Sequence, residues 1–267
     1  MKLDLKTILP STIDLAKNAG QAILSLYNQE QPILVELKAD ASPVTQADRD
    51  AHQIIKVGLE QITKGIPILS EEADEISFSI REQWEKYWLI DPLDGTKEFI
   101  HRTDDFTVNI ALIENHVPIL GVVYAPVFDL CYYASYTHGA YKQEGTNETQ
   151  RIHVRKCELD HITVAMSRRH GSDAVKNFLT DLKPEEVLPR GSSIKSCLVA
   201  EGKADIYPCL GKTSEWDMAA AQMVVTEAGG IMIDLEGMPL KFNMKSSLLN
   251  PPLLILGDST FDWKKYF

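Results

Sequence analysis

The feature that most constrains this chain is the hexapeptide DPLDGT at residues 91–96, which directly follows the apolar run of residues 87–90. A short apolar run bounded by turn residues predicts a buried strand. The proline restricts its own φ and favours an extended Asp91, while the glycine permits close backbone approach, so we expect Asp91 and Asp94 to face one cavity from a single tight turn. The alternative is that both acids simply cap the short helix predicted to follow.

A second apolar run, residues 66–69, also ends in acids, Glu71 and Glu72. Such runs are typical of buried strands that deliver side chains to the edge of a sheet. We therefore expect both runs to bring carboxylates to the same place. The alternative for Glu71 and Glu72 is an ordinary solvated edge.

The rest of the first half predicts helices packed on an antiparallel sheet. Apolar residues at three- and four-residue steps predict a helix from Ile13 to Tyr27, and a second helix is expected from Ala47 to Ile62. Pro, Gly and Asn between the following apolar runs suit an antiparallel meander. Its strands are predicted at residues 107–113, 120–124 and 129–135.

The second half predicts a smaller lobe of helices and strands. Its last helix is expected to stop at Gly229, where a left-handed conformation can end it. We therefore expect a layered α/β (α+β) fold with two lobes, residues 1–155 and 156–267. The elements predicted in the second lobe are a strand at 162–166 and helices at 174–182, 192–201 and 218–228.

Composition excludes several classes of function. The chain has 267 residues, 44% of them hydrophobic, which is enough for a substantial core. Its formal net charge of -11 argues against a nucleic-acid polymer or a membrane surface as partner, because both bind to broad cationic patches. The four cysteines lack the spacing of a disulfide framework or zinc knuckle. With no apolar signal segment or membrane span, we expect a cytoplasmic protein; loose attachment to the inner face of a membrane stays open.

The acids predict a site for a hard cation. Magnesium takes oxygen ligands in near-octahedral geometry and retains several waters, so Asp91, Asp94 and the carbonyl of Leu93 form a sensible partial shell. Asp217 and Asp48 each open a predicted helix, where an acid can simply interact with the helix dipole. That explanation would suffice for either residue alone, so the case for a metal site rests on the acids together.

Four segments carry a specific resemblance: SPVTQAD at 42–48, SEE at 70–72, DPLDGT at 91–96 and WDMAA at 216–220. In this order and spacing they resemble the inositol monophosphatase superfamily. The resemblance implies a sugar-phosphatase fold of alternating helix and sheet layers that binds two or three magnesium ions. The metal ligands it implies are Glu71, Asp91, the Leu93 carbonyl, Asp94 and Asp217.

The same resemblance implies catalytic groups. Thr96 and Glu71 resemble the pair that orients the attacking water, and Asp48 supports that water network from the outer shell. Thr96 alone is equally well explained as a helix cap. The backbone amides of Gly95 and Thr96, at the start of the short helix, can donate to phosphate oxygens. No covalent phosphoenzyme is required.

Longer segments resemble one branch of the superfamily, the bisphosphate nucleotidases, and particularly its bacterial members. These segments are KADASPVTQAD at 38–48, DGTKEF at 94–99 and GSSIKSCLVAEGKAD at 191–205. In this branch the third segment meets the second phosphate of the nucleotide, which implies that role for Ser193 and Lys195. The alternative for Lys195 is an exposed helical lysine.

The segment SRRH at residues 167–170 resembles an SRSH segment that lies beside the nucleotide in this branch. The resemblance implies that Ser167, Arg168 and His170 lie near the ribose and phosphate, although His170 could equally be a surface histidine. The chain departs from the pattern at Arg169, whose role stays open. The other implied substrate contacts are Asp94, Gly95, Thr96 and Asp217.

Three functional hypotheses follow. The favoured one is a magnesium-dependent phosphatase of sulfur assimilation that converts adenosine 3',5'-bisphosphate to AMP and phosphate, with the sulfated precursor of that nucleotide as a second candidate substrate. An inositol monophosphatase or another sugar-phosphate phosphatase would share the whole metal site. A non-catalytic, metal-dependent nucleotide sensor is the third hypothesis, against which the complete ligand set argues. The resemblance also implies inhibition by lithium, and a monomer is preferred with a homodimer left open.

Overall fold

Five alternating layers of helix and sheet form the structure, a computed structural model that describes residues 3–29, 34–37, 43–168 and 173–266. This is the layered α/β architecture expected from the sequence. The helices of these residues are α1 Leu5–Tyr27, α2 Gln46–Ile62, α3 Phe78–Arg81, α4 Thr96–Ile100, α5 Asp173–Leu182, α6 Ile194–Ala200 and α7 Glu215–Glu227. The strands are β1 Val35–Leu37, β2 Pro43–Thr45, β3 Ile68–Ser70, β4 Lys86–Asp94, β5 Thr107–Glu114, β6 Val117–Ala125, β7 Leu130–Ser135, β8 Gly139–Glu144, β9 Gln150–Ile152, β10 Thr163–Ser167, β11 Glu186–Arg190, β12 Ile206–Cys209, β13 Ile231–Asp234 and β14 Leu253–Leu256.

The larger sheet has seven strands in the order β3-β4-β5-β6-β7-β8-β9. From β4 onward each strand pairs antiparallel with the next, which is the predicted meander. Among the strands of this sheet that the structure describes, only β3 departs from the pattern, because it pairs parallel to β4. The parallel pair matters for the site, because the C-terminal ends of two parallel strands lie at the same end of the sheet.

Opposite faces of this sheet pack against different helices. Side chains alternate between the two faces of a strand. In β4, Trp88 and Ile90 pack in the core formed with α1 and α2, while Tyr87 and Leu89 pack in the core formed with α6 and α7. The central strands are therefore buried on both sides, and their sequences are almost continuously apolar.

Helix α7 approaches the larger sheet unusually closely. A Cβ atom at Gly121 of β6 would lie 2.4 Å from the carbonyl oxygen of Ala220, so this crossing requires a glycine on the strand. On the helix, Ala219, Ala220 and Ala221 are almost fully buried. This close packing fixes the start of α7 relative to the strand ends of the larger sheet.

The smaller sheet has five strands in the order β11-β10-β12-β14-β13. One face shares the core that contains α6 and α7, and the other packs against α5 and Trp263. The larger sheet ends at Ile152 and the smaller one begins at Thr163. The division into lobes of residues 1–155 and 156–267 stays a prediction, because α7 belongs to one lobe by sequence and packs on the sheet of the other.

The last long helix differs from its predicted range at its start. The last long helix begins at Glu215, three residues earlier than predicted, because Ser214 serves as its N-cap. It ends as expected before Gly229, whose φ is +98°.

Among the helices described, none is both long and apolar enough to cross a membrane.

Candidate active site

Three carboxylates converge at one end of the larger sheet. Oxygens of Glu71, Asp91 and Asp217 all lie within 4.8 Å of one another. Glu71 directly follows β3 and Asp91 lies in β4, and in this parallel pair Ser70 is in register with Ile90. Glu71 and Asp91 directly follow this matched pair, and the strands run in the same direction. Both apolar runs therefore bring an acid to the same end of the sheet. Helix α7 supplies the third acid.

The DPLDGT segment is a β-bulge, not the expected tight turn. Strand β4 continues through Asp94, and between Asp91 and Asp94 it contains one residue more than the paired stretch of β5. Within the bulge, Asp91 Oδ1 accepts a hydrogen bond from the Leu93 N–H at 3.0 Å. The bulge accommodates a proline in a paired strand, which is why the turn prediction was wrong. Gly95 follows with φ +94°, a left-handed conformation that leads into α4.

Asp94 connects these carboxylates to a loop of the second half. Its Oδ2 accepts hydrogen bonds from the Ser193 backbone N–H at 2.8 Å and from the Ser193 hydroxyl at 2.9 Å. The hydroxyl of Thr107 and the side-chain amide of Asn109 lie 3.4 Å from the same oxygen. The Ser193 hydroxyl also lies 2.8 Å from the Asp217 carbonyl. Ser193 therefore joins Asp94 to the start of α7.

Two helices present an acid to the site from their third residue. In α2, Asp48 Oδ2 accepts the N–H of Thr45 at 2.7 Å and its hydroxyl at 2.6 Å. In α7, Asp217 Oδ2 accepts the N–H of Ser214 at 2.8 Å. Both acids therefore cap their helices, as the ordinary explanation of the sequence held. Capping does not exclude a role in the site, because Asp217 also belongs to the carboxylate cluster.

Thr96 links Asp48 to the bulge. Its hydroxyl lies 3.2 Å from Asp48 Oδ1 and 3.4 Å from the carbonyl of Leu93, and both partners are acceptors. A hydroxyl has one proton and two lone pairs. Donation to Asp48 or Leu93 therefore leaves the Thr96 oxygen able to accept a hydrogen bond from a water or a ligand.

The carboxylate cluster carries a high electrostatic cost that a cation would remove. Burial raises the pKa of Asp91 well above its usual value, and the charges of Glu71, Asp94 and Asp217 raise it further. Burial and then Asp94 raise the pKa of Asp217 in the same way. A divalent cation stabilises the ionised forms and reverses such shifts. Because every donor is a hard oxygen, the residues fit magnesium.

Lys195 is buried, with 5% of its surface exposed, so its interpretation as an exposed helical lysine is wrong. Its Nζ donates to the carbonyl of Ser192 at 2.7 Å and lies 5.1 Å from the centre of the Tyr207 ring. Burial lowers the pKa of this ammonium, and the charge of Asp94 opposes the shift. The cation therefore contacts the loop that also contains Ser193.

The SRRH segment is described only in part. Ser167 ends β10 and is exposed. Arg168 has 42% of its side chain exposed and donates from Nε to Asp105 Oδ2 at 2.5 Å. Arg169 and His170 lie outside the described residues. The predicted contact of His170 with the nucleotide therefore stays a prediction.

Two residues near the site were missed by sequence reasoning. Asn109 donates from its side-chain amide to Ser193 Oγ at 2.9 Å. Asp105 is fully buried, and its Oδ2 accepts the Gly191 N–H at 2.9 Å. The available signals were a polar residue within the apolar strand TVNIALI and an acid two residues before that strand. Both are common enough to pass unnoticed.

Comparison with known proteins gives a consistent result over nearly the whole chain. A family model described as the inositol monophosphatase family matches residues 4–258. The 3'(2'),5'-bisphosphate nucleotidase CysQ of Escherichia coli (strain K12) is 45% identical over 244 residues, which cover 91% of this chain and 97% of that protein. The crystal structure of CysQ from Bacteroides thetaiotaomicron matches with a TM-score of 0.84 and 38% identity, covering 96% of this chain and 99% of that one. An inositol monophosphatase from Zymomonas mobilis matches with a TM-score of 0.76 and 26% identity, covering 97% and 95%.

Proposed function

The chain belongs to the inositol monophosphatase family, and from this premise we propose that it is a magnesium-dependent 3'(2'),5'-bisphosphate nucleotidase. Its substrate is adenosine 3',5'-bisphosphate, and hydrolysis of the 3'-phosphate releases phosphate and AMP. The sulfated precursor of this nucleotide is a second substrate to test. One observation carries the substrate class: the nucleotidase relative is 45% identical over nearly its full length, whereas the inositol monophosphatase is 26% identical.

The proposed magnesium ligands are those of the carboxylate cluster and its neighbours. The mutual approach of three acids to within 4.8 Å and the raised pKa values of Asp91 and Asp217 support this assignment. When bound, magnesium supplies positive charge beside the phosphate oxygens and makes water a better nucleophile. We propose that two or three ions are held by Glu71, Asp91, the Leu93 carbonyl, Asp94 and Asp217.

Thr96, Glu71 and Asp48 are proposed to orient the attacking water. The Thr96 hydroxyl donates to Asp48 Oδ1, so its lone pairs accept one hydrogen of the water. The Glu71 carboxylate then accepts the other hydrogen and takes the proton as the water attacks. Asp48 acts by holding the Thr96 hydroxyl in this direction. Backbone amides of Gly95 and Thr96 are proposed donors to the transferred phosphate.

The second phosphate and the ribose are proposed to meet the loop and cations of the second half. The assigned contacts combine two hydroxyls with cationic side chains, a set that suits a phosphate dianion. The bond from Ser193 to Asp94 supports this proposal, because it ties the second-phosphate loop to the metal cluster. The assigned residues are Ser167, Arg168, His170, Ser193 and Lys195. Asp217 of the carboxylate cluster and the neighbouring Asp94 are also proposed to face the substrate.

The test is phosphate release from adenosine 3',5'-bisphosphate and from inositol 1-phosphate, measured side by side. The wild type is assayed with magnesium and with chelator, and Asp91→Asn is assayed with magnesium. We expect a strong preference for the nucleotide that is lost in chelator and in the variant. Preference for inositol phosphate would retain the metal chemistry and overturn the substrate. Absence of turnover on both, with retained nucleotide binding, would favour a sensor.

A further inference from the structure

Charged side chains fix the loop of residues 191–193, between β11 and α6, at three successive residues. Asp105, Lys195 and Asp94 bind backbone groups of residues 191, 192 and 193 at 2.9, 2.7 and 2.8 Å. Hydrogen bonds to charged groups are about twice as strong as those between neutral groups. The first residue must be a glycine, because a Cβ atom there would lie 2.6 Å from the Asp105 carbonyl oxygen. The loop conformation therefore depends on its contact with Asp105.

Several unfavourable features occur together at this contact. Ser192 has φ +46°, which is uncommon for a residue other than glycine. Its hydroxyl and Asp105 Oδ1 are both buried without a hydrogen-bond partner in the described structure. The Lys195 ammonium is also buried. Strained backbone and unpaired buried polar atoms cost stability and tend to occur at functional sites. The arrangement therefore indicates a binding role for the loop.

Asp105 also holds Arg168. The same Oδ2 atom that accepts the Gly191 N–H accepts Arg168 Nε at 2.5 Å. Within the described residues the two terminal guanidinium nitrogens of Arg168 make no hydrogen bond, and the side chain is 42% exposed. An arginine fixed through Nε still offers its terminal nitrogens as a planar fork for a phosphate. One buried carboxylate thus orients both a cation and the adjoining loop.

We propose that Asp105 is a positioning residue that sets the preference of the site for substrates with a second anionic group. It acts through Arg168 and the 191–193 loop, and it does not touch the substrate. The inference rests on the proposed function, since it assigns these two elements to the second phosphate. It is separate from the metal chemistry, because Asp105 is outside the carboxylate cluster of Glu71, Asp91 and Asp217.

Adenosine 3',5'-bisphosphate and adenosine 3'-monophosphate test the inference because they differ only in the second phosphate. The quantity measured is the ratio of their kcat/KM values. For Asp105→Asn we expect this ratio to fall about tenfold, chiefly through a higher KM for the bisphosphate, which corresponds to about 1.4 kcal/mol. Asparagine can still accept the Gly191 N–H, so the fold should survive. Asp105→Glu, which restores the charge, should recover part of the preference.

Arg168→Gln provides the matching variant on the other side of the contact. It should reduce the ratio by a similar factor, and the double variant should lose little more than either single one, because both remove the same interaction. Arg151→Gln is the control for removing one positive charge, since Arg151 lies on β9 at the opposite edge of the larger sheet from β3. If Asp105→Asn fails to fold, an unchanged ratio in the exposed Arg168→Gln variant still contradicts the inference.

The outcomes separate this inference from the function on which it rests. A wild-type enzyme that prefers the bisphosphate, and keeps that preference in Asp105→Asn and Arg168→Gln, overturns the inference and the assignment of Arg168 to the second phosphate, and leaves the nucleotidase activity standing. Equal losses on both substrates also overturn it, because they indicate a merely structural role. A wild-type enzyme with no preference for the bisphosphate overturns the proposed function and this inference together.

Discussion

Helices α2 and α7 begin with the same local arrangement and serve the candidate site differently. In each, the third residue is an aspartate whose Oδ2 accepts the N–H of the N-cap residue. The helices pack on opposite faces of the larger sheet, yet the first turn of each lies at the end of the sheet that carries the candidate site. A capping acid at this position is held firmly, because the helix itself supplies the donor.

The difference lies in what each acid meets next. Asp48 Oδ1 lies 3.2 Å from the Thr96 hydroxyl, so Asp48 contacts a neutral donor. Asp217 instead belongs to the cluster with Glu71 and Asp91, where burial and negative charge raise its pKa well above the usual value. A capping motif therefore fixes where an acid lies, and the partners on the sheet decide whether it binds a metal or orients another side chain.

The largest effect should come from Asp217→Asn. We expect kcat with magnesium to fall by about 1000-fold, because a lost metal ligand removes several kcal/mol of charge stabilisation. Stability should change in the opposite direction. Without metal, the free energy of unfolding at neutral pH should rise by about 1 kcal/mol or more, since the variant removes a half-buried charge that Asp94 and Glu71 repel, and its amide oxygen still caps α7. Turnover with magnesium and urea unfolding in chelator measure the two effects.

A matched control is Asp181→Asn, which makes the same substitution at an exposed position of α5. It should change neither quantity appreciably. A loss of stability in metal-free Asp217→Asn would mean that the carboxylate of Asp217 stabilises α7 more than its charge destabilises the cluster. The proposed role of Asp217 as a metal ligand that costs stability would then be wrong.

A smaller effect is expected on the α2 side. Asp48→Asn should lower kcat by about 10- to 100-fold, the usual range for partners that orient a ligand or a water. Thr96→Val removes the hydroxyl that Asp48 holds and should cost a similar factor. Because both substitutions break one interaction, the double variant should lose little beyond the larger single loss. Steady-state kinetics at saturating magnesium measures all three.

The magnesium concentration for half-maximal activity sharpens this comparison. It should rise for Asp217→Asn and change less than about threefold for Asp48→Asn, because Asp48 is proposed to act through Thr96 and water. If Asp48→Asn lost as much activity as Asp217→Asn and needed as high a magnesium concentration, the two acids would be equivalent. The proposed difference between α2 and α7 would then be wrong.

The pH dependence of stability provides a third contrast. Asp91 and Asp217 have pKa values raised in the folded state, so the metal-free protein binds more protons than the unfolded chain above about pH 4. Its free energy of unfolding should therefore fall as the pH rises through the raised pKa values, by up to about 1.4 kcal/mol per pH unit for each group. Saturating magnesium should suppress this fall, because it binds the ionised forms. Urea unfolding between pH 5 and 8, with chelator and with magnesium, measures it.

Glu215 also contributes to the fall of the free energy of unfolding with pH, since burial raises its pKa to about 7. Comparison of the wild type with Asp217→Asn isolates the share of Asp217, because Glu215 is present in both. An unchanged slope in the variant would show that Asp217 does not titrate with the cluster.

Local sequence predicted much of the fold, and it identified the three acids of the carboxylate cluster as candidate metal ligands. Apolar runs separated by Pro, Gly and Asn predicted the meander, and periodic helical stretches predicted the first two helices; together they predicted the layered class. The two strand ends carrying Glu71 and Asp91 were predicted to meet, and their side chains do converge. These features depend on neighbouring residues and on strand pairing, which patterns in the sequence reflect directly.

The parts that sequence did not predict depend on contacts between distant residues. The Ser193 bond to Asp94 joins residues 99 positions apart, and the Gly191 bond to Asp105 joins residues 86 apart. The burial of Lys195 follows from the packing of two sheets around α6. The bulge at Asp91 depends on register against β5, which residue types alone do not determine.

The smallest predicted effect concerns the caps themselves. Thr45→Ala removes a hydroxyl that donates to Asp48 at 2.6 Å and accepts the Ala47 N–H, so we expect a loss of about 1 kcal/mol in the free energy of unfolding. Both acids also accept the backbone N–H of their N-cap residue, which alanine retains. Ser214→Ala should cost less, because within the described structure only the Thr45 hydroxyl, and not that of Ser214, also donates to the capping carboxylate. Urea unfolding of both variants in magnesium gives the two values. Equal losses would mean that the caps of α2 and α7 depend on their side chains alike, whereas the expected inequality means that α7 holds its acid through the backbone and leaves the carboxylate cluster insensitive to the N-cap side chain.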